Sequence, residues 1–272
     1  MASGTPDHGQ VALVVGASSG IGWAVAERLL AAGWRVHAGA RRRAAPDGAV
    51  MHCLDVRDYS RIERAVASVL DADGRIDLLV VTAGITQLAA IEELGAEAEH
   101  GLMATNLHGP LACMRAVLPA MRAAGQGRIV ALGSVAGFLP TPFQGLYAAS
   151  KHALAGACTT LDHEVRDHGV RVSVVEPGFV ASDFDRRAEG PDHPVSAYDT
   201  LRGRAAAAVG RAVRTGMAPD AVASAVVRAA VTARPVQRLR PGRQAKLLRT
   251  ISLLLPERLF AWGLRRRFDL PG

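Results

Sequence analysis

The stretch that decides the fold is VALVVGASSGIG, at residues 11–22. Five apolar residues typical of a buried strand run into a glycine-containing turn, and the helical pattern WAVAERLLAAG follows at 23–33. Such a turn offers backbone amides and the positive end of a helix dipole, which together attract a pyrophosphate. Gly16, Gly20 and Gly22 permit positive φ angles and close approach of a ligand to the backbone. Taken alone, the pattern also fits an ordinary turn.

Short β-rich runs continue to alternate with helical segments along the chain. The runs lie at residues 11–15, 34–40, 51–55, 77–82, 128–134 and 170–176, with VQRLR at 236–240 as a short seventh. Since these strands are apolar on both faces, they predict a parallel sheet with helices on both sides. We therefore expect a single α/β domain with a Rossmann-like, doubly wound parallel sheet of about seven strands, whose ligands bind beyond the carboxyl ends of the strands.

The chain divides into three regions. We expect residues 1–9 to form a flexible tail, residues 10–242 to form the folded domain, and residues 243–272 to form a helical, cationic extension packed on that domain. Residues 183–215 are irregular and then helical, and an insertion at this point tends to be a substrate lid. The extension is interrupted at Pro256. It could also cover the substrate cleft, lie at a subunit boundary or contact an anionic membrane surface, but packing on the domain is favoured.

Composition limits the classes of function. The 272 residues are 49% hydrophobic, enough for one large core, and the net charge of +7 suits an anionic dinucleotide as well as nucleic acid or lipid. We do not expect nucleic-acid binding, because the arginine runs at 41–43 and 265–267 carry no interleaved aromatic residues. The opening MASGTPDHGQ has no secretory signal, and the apolar runs are shorter than the roughly 18 residues of a membrane span, so a cytoplasmic protein is expected.

The cysteines predict neither a disulfide nor a metal site. Cys53, Cys113 and Cys158 are an odd number, widely separated and without metal-ligand spacing. We expect reduced thiols that are mostly buried.

A second pattern, YAASK, places Tyr147 and Lys151 one helical turn apart on the same face, thirteen residues after Ser134. A phenol with an ordinary pKa near 10 exchanges protons reluctantly at neutral pH. An ammonium group about 4 Å away would contribute on the order of 4 kcal/mol at an effective dielectric constant of about 20, or about three pKa units. We therefore expect Lys151 to lower the pKa of Tyr147 toward neutrality. A lone pair of this spacing also occurs by chance on helix surfaces.

Together, the G-x-x-x-G-x-G spacing of residues 16–22, Ser134 and the YAASK motif resemble the short-chain dehydrogenase/reductase family, over about residues 10–182. GSVAGFLPTPFQGLYAASK at 133–151 and ARRR at 40–43 look like the subgroup of hydroxysteroid and retinol dehydrogenases. The resemblance implies an oxidoreductase that acts on the CH–OH group of a small alcohol, or on the matching carbonyl compound. It also implies a homodimer or homotetramer.

The resemblance assigns the chemical step to four residues. Tyr147 is the proton donor and acceptor, and Ser134 hydrogen bonds the substrate oxygen. Lys151 also binds the nicotinamide ribose hydroxyls. Asn106, in TNLHG on the long fourth helix, supports a water-linked proton relay to the lysine, although an asparagine inside a helix can merely satisfy a neighbouring carbonyl. A serine at the end of a strand is likewise common in turns.

The end of the second strand predicts the nucleotide. In dinucleotide folds an acidic residue there receives the ribose hydroxyls of NAD. Ala40 occupies that position and Arg41 and Arg42 follow it, so we predict NADP(H) over NAD(H), with guanidinium groups on the 2′-phosphate. A solvated cluster is the alternative for Arg43 and for Arg42. Asp55 matches the family residue that contacts adenine, and it fits a helix cap equally well.

Further cofactor contacts follow from the family resemblance, including the EPGFVAS turn at 176–182 beside the nicotinamide. The predicted contacts are Gly16, Ser18, Ser19, Gly20, Ile21, Gly22, Arg41, Arg42, Asp55, Val56, Ala83, Gly84, Tyr147, Lys151, Pro177, Gly178, Val180 and Ser182. The family usually has two asparagines before Ala83 and Gly84, where this chain has Val81 and Thr82. We expect the threonine hydroxyl to brace the sheet or approach the cofactor.

The substrate class is open. Phe138, Leu139, Phe143 and Leu146 offer apolar surface beside Tyr147, which fits a hydrophobic alcohol or ketone, and fits packing under a lid as well. Two hypotheses from other classes remain. One is a catalytically silent NADP(H)-binding regulatory protein on the same fold, and the other is a basic nucleic-acid-binding protein with steep salt dependence.

Overall fold

The computed structural model describes residues 9–271, so the tail predicted at 1–9 lies outside the described residues except for Gly9. Within that part of the chain, seven parallel strands form one sheet in the order β3-β2-β1-β4-β5-β6-β7. The strands are β1 Val11–Val15, β2 Arg35–Ala40, β3 Val50–Cys53, β4 Leu78–Val81, β5 Gly127–Leu132, β6 Val170–Val175 and β7 Arg238–Leu239. The predicted doubly wound, Rossmann-like fold is confirmed.

Two strands end two residues before the predicted end. β3 stops at Cys53 rather than Asp55, and the amide of Leu54 then donates to the carbonyl oxygen of Ala40. β5 stops at Leu132 rather than Ser134, because Ser134 begins a 3₁₀ turn. Apolar pattern alone does not mark where a strand gives way to such a turn.

Helices cover both faces of the sheet. They are α1 Gly20–Ala31, α2 Tyr59–Asp73, α3 Ala96–Met103, α4 Gly109–Ala123, α5 Gly145–Val165, α6 Asp199–Arg214, α7 Pro219–Val231, α8 Gly242–Leu254 and α9 Glu257–Arg267. One apolar core lies between the sheet and α2, α4 and α5, and the other between the sheet and α1 and α7. Val11, Leu13 and Val15 face the first core, whereas Ala12 and Val14 face the second. This alternation explains why β1 is apolar along its whole length.

The strand order reverses around β1, which pairs with β2 on one side and β4 on the other. In open α/β sheets, ligands bind in the crevice beyond the carboxyl ends of the strands at such a reversal. The turn after β1 and the segment after β4 meet there, since a Cβ atom on Gly16 would lie only 2.6 Å from the amide nitrogen of Ala83. The fold therefore brings the predicted phosphate-binding turn to the position where a dinucleotide would bind.

The region predicted as a lid, residues 183–215, contains two 3₁₀ turns, Asp185–Arg187 and Ser196–Tyr198, followed by α6. Its far part is fixed to the domain by Glu93, a fully buried carboxylate in the loop before α3. This carboxylate accepts a hydrogen bond from the amide of Val195 over 2.9 Å and forms an ion pair with Arg202 of α6. The lid function itself stays a prediction.

The C-terminal helices α8 and α9 are separated at Pro256, as the sequence predicted. Ala245 of α8 is buried, and Phe268, directly after α9, is buried against α6. Among residues 9–271, none of the helices is both long and apolar enough to cross a membrane. Cys113 and Cys158 are buried free thiols, and Cys53 is an exposed one.

A buried carboxylate at the end of α5 joins three parts of the chain. Asp162 accepts hydrogen bonds from Arg166 of the following turn (2.6 Å), from Arg171 of β6 (2.8 Å) and from Gln237 beside β7 (2.9 Å). The amide of Val172 also donates to it, over 2.9 Å. Burial opposes the charged form, but these hydrogen bonds outweigh it, so the pKa of Asp162 lies well below its usual range.

We predict that Asp162→Asn lowers the free energy of unfolding by about 3–5 kcal/mol, because it leaves the arginine charges without their partner. Folding lowers the pKa of Asp162, so its contribution is present above the unfolded pKa and is lost as pH falls through the folded value. Urea unfolding of the wild type should therefore show stability that declines below about pH 4, with a shallower decline in the variant. Asp167→Asn, on the exposed turn after α5, is the matched control, and equal loss in both variants would contradict the assignment.

Candidate active site

The turn after β1 adopts a conformation that requires glycine. Gly16 and Gly20 have φ angles of 93° and 58°, a region that other residues rarely enter. A Cβ atom on Gly22 would overlap the carbonyl oxygen of Gly16 and lie 2.5 Å from Thr82 Oγ1. The turn is therefore packed tightly against the segment that follows β4, and a bulkier residue at Gly22 would push the two apart.

The same turn leaves polar groups for a ligand. Ser19 is the N-cap residue of α1, yet its side chain makes no capping hydrogen bond. The first amides of a helix have no partners within the helix, so they and the Ser19 hydroxyl can bind an anion. Ser18 and Ile21 are partly buried beside them. Thr82 Oγ1 donates to the carbonyl oxygen of Val15 over 3.0 Å, so this hydroxyl braces the sheet, one of its two predicted roles.

Tyr147 and Lys151 lie on one face of α5, with 9% and 3% of their surface exposed. Lys151 Nζ donates to the carbonyl oxygen of Leu132, at the end of β5, over 2.9 Å. The same nitrogen lies 5.7 Å from the centroid of the Tyr147 ring. An ammonium group has three N–H donors, so after the bond to Leu132 it can still donate to a ligand such as a ribose.

The expected acidification of Tyr147 by Lys151 is wrong. Burial is the largest influence and raises the pKa of Tyr147, because a phenolate there would lose its hydration. A hydrogen bond with Ser134 lowers this pKa in part, and the Asp185 carboxylate raises it again. Burial also lowers the pKa of Lys151 to about 8. The sequence argument included the charge of the lysine but missed the burial that both groups share.

Ser134 links the end of β5 to the phenol. Its backbone is extended, and its hydroxyl accepts a hydrogen bond from the amide of Ala136 over 3.1 Å, so it is a turn residue. The same hydroxyl is a hydrogen-bonding neighbour of Tyr147. Val135, next along the chain, donates its amide to the carbonyl oxygen of Pro177 over 2.9 Å. The ends of β5 and β6 are thereby held together around the serine.

Asn106 lies in a π-helical turn, Ala104–His108, which connects α3 to α4 where the sequence predicted one long helix. Its side chain is fully buried and bonds both backbone groups of Ile85, accepting over 2.8 Å and donating over 2.9 Å. It also donates to Ser150 Oγ over 3.1 Å. Asn106 therefore satisfies neighbouring backbone groups, as the structural alternative held.

The side chains of Asn106 and Lys151 both lie close to Gly84. A Cβ atom on Gly84 would be 3.3 Å from Asn106 Oδ1 and 3.7 Å from Lys151 Nζ. Single π-helical turns inside α-helices are frequent at functional sites, because they move a side chain out of the regular helical register. The position is compatible with a relay between the two side chains, and the relay itself stays a prediction.

Arg41 and Arg42 are exposed directly after the buried Ala40 at the end of β2. The guanidinium of Arg41 is close enough to Asp55 to lower the pKa of that carboxyl, although the hydrogen bond from Arg57 is the larger cause. Both arginines are thus free to contact a ligand at the carboxyl edge of the sheet.

Asp55 does not cap a helix. The N-cap of α2 is Asp58, whose carboxylate accepts from the amide of Arg61 over 3.2 Å. The Asp55 carboxylate instead binds the Arg57 guanidinium, with NH2 to Oδ2 at 2.8 Å. Val56, between them, is buried. The capping alternative for Asp55 is therefore wrong, and its contact with adenine stays a prediction.

The turn after β6 closes the other side of the site. Pro177 and Val180 are buried, and Gly178 and Ser182 are partly buried. A Cβ atom on Gly178 would lie 3.2 Å from Oε1 of Gln244, so α8 begins directly against this turn. The predicted nicotinamide-side residues are thereby brought to the same edge of the sheet as Ser134.

The start of the lid region adds two residues that the sequence analysis did not single out. The centroid of the Phe184 ring lies 6.0 Å from that of Tyr147. Asp185 follows it, and burial raises the pKa of its carboxyl to about 6. In the sequence, these two residues stand out only as an aromatic and an acidic residue in a predicted lid. Asp183 and Glu189 are acidic residues of the same region, so nothing in the sequence favoured Asp185 over them.

The four predicted apolar residues do not all line the site. Leu146 packs against the apolar cluster that contains Tyr147, and Leu139 is buried. Phe138 instead lies under two guanidinium groups, 5.2 and 5.5 Å from its ring centroid, and Phe143 packs against the cluster around α6. Leu146 is therefore placed beside Tyr147 as the sequence suggested, whereas Phe138 and Phe143 pack elsewhere.

An apolar cavity of about 530 Å³ lies near the start of α5. Its lining includes residues 89–91 and 140–143 together with Ala148 and His152. Tyr147 and Ser134 do not line it. The cavity is a neighbour of the tyrosine rather than the space directly over its hydroxyl.

The arrangement combines two capabilities at one edge of the sheet. A neutral phenol, a hydroxyl and an ammonium group lie together at the ends of β5 and α5 and can exchange a proton with the oxygen of a small molecule. The glycine turn after β1 can hold an anionic group beside them.

Most of the chain matches the model of a known protein family. A family model described as short chain dehydrogenase matches residues 10–191, which includes the glycine turn and the YAASK motif. That span agrees with the resemblance found from the motifs.

Two similar proteins illustrate the range of relatives. Human 17-beta-hydroxysteroid dehydrogenase type 1 is 35% identical over 202 residues, 68% of this chain and 61% of that protein. The 3-ketodihydrosphingosine reductase of Bacteroides thetaiotaomicron is 30% identical over 265 residues, 94% of this chain and 97% of that protein. The chain spans about 60% of the length of some relatives that it matches.

Solved structures agree with the fold. A short-chain dehydrogenase from Streptomyces avermitilis superimposes with a TM-score of 0.79 at 32% identity, covering 97% of this chain and 99% of that one. A metagenomic short-chain oxidoreductase in complex with NADP gives a TM-score of 0.68 at 30% identity, covering 86% and 98%.

We predict that Gly22→Ala lowers the free energy of unfolding by about 1–3 kcal/mol, because the added methyl group meets the fixed backbone of Gly16. Gly101→Ala is the matched control, since a Cβ atom at that position in α3 meets open space. The control should be neutral or stabilising by up to about 1 kcal/mol. Urea unfolding measures both, and an undiminished stability of Gly22→Ala would refute the tight packing described for this turn.

Proposed function

The chain belongs to the short-chain dehydrogenase family, and we propose that it is an NADP(H)-dependent oxidoreductase that interconverts an alcohol, in the first instance a secondary one, with a ketone or aldehyde. The observation that carries the proposal is the joint burial of Tyr147 and Lys151 beside Ser134 and Gly84. A buried ammonium next to a buried phenol is costly for a protein to maintain, and such pairs concentrate at functional sites.

The proposed proton step uses the neutral phenol. When bound, NADPH supplies a hydride to the carbonyl carbon, and NADP accepts one in the reverse direction. Tyr147 gives the proton of its hydroxyl to the carbonyl oxygen, so that the substrate becomes an alcohol and the phenol becomes a phenolate. Since burial raises the pKa of Tyr147, the phenol holds this proton at neutral pH and can donate it to the carbonyl oxygen.

Lys151 then stabilises the charge that the step creates. With a pKa of about 8, its amine is mostly an ammonium group at pH 7. Its nitrogen lies 5.7 Å from the centroid of the Tyr147 ring, and in our proposal its positive charge favours the phenolate once the proton has left. Its remaining N–H donors hold the nicotinamide ribose hydroxyls in our proposal. The Ser134 hydroxyl, beside the phenol, orients the substrate oxygen.

Several features support NADP(H) over NAD(H). Ala40 leaves the end of β2 without the carboxylate that would repel a 2′-phosphate, and Arg41 and Arg42 follow it as exposed cations. The glycine turn and the uncapped Ser19 fit the pyrophosphate. The related metagenomic oxidoreductase, solved with NADP, supports the same choice.

A hydrophobic substrate is the class we propose. The surroundings of Tyr147 are apolar, with Leu146 and Phe184 packed against its cluster. The two relatives described above are named for a hydroxysteroid and a ketodihydrosphingosine. Phe184 and Asp185 of the lid region would then border the substrate, on the side of the phenol.

We predict that Tyr147→Phe reduces the rate of NADPH oxidation, followed at 340 nm over a panel of hydrophobic ketones and aldehydes, by about 10²-fold or more. The phenyl ring fills the same space, so the binding of NADPH should persist. Tyr59→Phe is the matched control, because Tyr59 is exposed on α2. Equal rates in both variants would refute the mechanism, and binding of NADPH without turnover in the wild type would favour the silent regulatory protein instead.

We predict that Arg41→Ala weakens the binding of NADPH by about 10-fold or more while that of NADH changes little, because a charge-assisted hydrogen bond to the 2′-phosphate contributes about 1.5–3 kcal/mol. Titration of each nucleotide by calorimetry measures the two dissociation constants. Arg186→Ala, at an exposed arginine of the lid region, is the control and should leave the preference unchanged. A parallel loss for NADPH and NADH would show that Arg41 does not select the nucleotide.

A further inference from the structure

The two C-terminal helices expose an unusual amount of apolar surface. Eleven large hydrophobic side chains are exposed in the described part of the chain, and six of them lie within the C-terminal helices and the link between them. They are Leu247, Leu253, Leu254, Leu255, Leu259 and Trp262, with Leu254 the most exposed at 76%. Single exposed leucines are ordinary, but a run of them on neighbouring turns marks an interaction surface.

The same helices are strongly cationic. The cations from residue 242 onward are Arg243, Lys246, Arg249, Arg258, Arg265, Arg266 and Arg267, against the carboxylates Glu257 and Asp269. Asp269 is already paired with Arg211 of α6. Among residues 9–271, none of the seven cations forms an ion pair. Arg249 is set apart because its guanidinium lies over Phe138, and we call the six apolar side chains and the other six cations the tail surface.

The tail surface is held in place at its two ends. Near the start of α8, Ala245 is buried and Gln244 lies against Gly178. After α9, Phe268 is buried against α6, where Asp269 pairs with Arg211. Between these anchors, α9 has no fully buried residue; Leu259 is exposed, whereas Leu264 packs partly against the cluster around α6. The extension also contacts the domain between these anchors, because the Arg249 guanidinium of α8 lies 5.5 Å from the centroid of the Phe138 ring.

Trp262 combines the exposed apolar surface and the positive charge of these helices in one place. Its indole ring is about half exposed, at 51%, and the guanidinium carbon of Arg266 lies 4.5 Å from the ring centroid. A half-exposed tryptophan with a cation beside it is the arrangement typical of a helix that lies at the boundary between lipid headgroups and acyl chains.

We propose that the tail surface binds the face of an anionic lipid bilayer, with its leucines and Trp262 entering the headgroup boundary and its arginines contacting the lipid phosphates. Charge complementarity selects this occupant. A symmetric contact with a second copy would bring two identical surfaces of net positive charge together, which is repulsive. Nucleic acid would satisfy the cations but leave the leucines in water. An anionic bilayer satisfies both at once.

The test uses the full chain and vesicles of defined composition. Co-sedimentation at 0.1 M salt compares phosphatidylcholine vesicles with vesicles that contain 30% phosphatidylglycerol. We expect binding to the anionic vesicles, at least tenfold weaker binding to the neutral ones, and loss of binding as salt is raised. Equal binding to both, or binding to neither, would overturn the proposal.

Two sets of variants test the two halves of the tail surface. Arg265→Gln/Arg266→Gln/Arg267→Gln should weaken vesicle binding by about 100-fold, at roughly fivefold for each cation near an anionic surface. Leu253→Ser/Leu254→Ser should weaken it by at least tenfold, whereas Val231→Ser, at an exposed valine outside the tail, should not. All these side chains are exposed, so circular dichroism should report unchanged folding and melting temperature.

A spectroscopic readout identifies the contact independently. Of the three tryptophans in the chain, Trp262 is the one on this surface, and it is exposed. Anionic vesicles should therefore shift the indole emission to shorter wavelength, and Trp262→Phe should abolish the shift. Light scattering after size exclusion gives the opposing outcome. A dimer of the wild type that Leu253→Ser/Leu254→Ser dissociates, without any vesicle binding, would assign the tail surface to a second copy and refute the bilayer.

Discussion

A buried ammonium group holds the longest helix of the domain against the end of a central strand. Lys151 donates one N–H hydrogen bond to the carbonyl oxygen of Leu132, and this bond fixes the position of α5 relative to β5. Tyr147 precedes the lysine by one turn of that helix, and Ser134 follows the strand by two residues, so the same bond sets the distance between phenol and hydroxyl. Without this hydrogen bond, the positions of Tyr147 on α5 and Ser134 after β5 would not be fixed relative to each other.

The electrostatics of the site follow from burial more than from paired charges. Burial disfavours charge on the phenol and on the amine, raising the pKa of Tyr147 and lowering that of Lys151 to about 8. Asp185 is subject to the same effect, and its carboxyl titrates at about 6. The phenol therefore keeps its proton, which agrees with our proposal that it donates this proton to a carbonyl oxygen.

Much of this architecture can be predicted from the sequence, since β1, the glycine turn and the YAASK spacing are local patterns that depend on few neighbours. The π-helical turn at Asn106 could not be predicted, because one inserted residue barely changes a helical periodicity. Asp162 and Glu93 were missed for another reason. Their arginine partners lie on other elements, so an isolated carboxylate in the sequence carries no sign of its ion pairs. The pKa of Tyr147 was mispredicted because spacing reports the distance between two groups but not the loss of water around them.

The buried Glu93 carboxylate holds one end of the predicted lid region to the domain. It fixes the part of the lid region from Val195 to Arg202, while Phe184 and Asp185 lie over the phenol at the other end. A lid made of this region, as we predict, would therefore move at its Phe184 end while the part from Val195 to Arg202 stays with the domain.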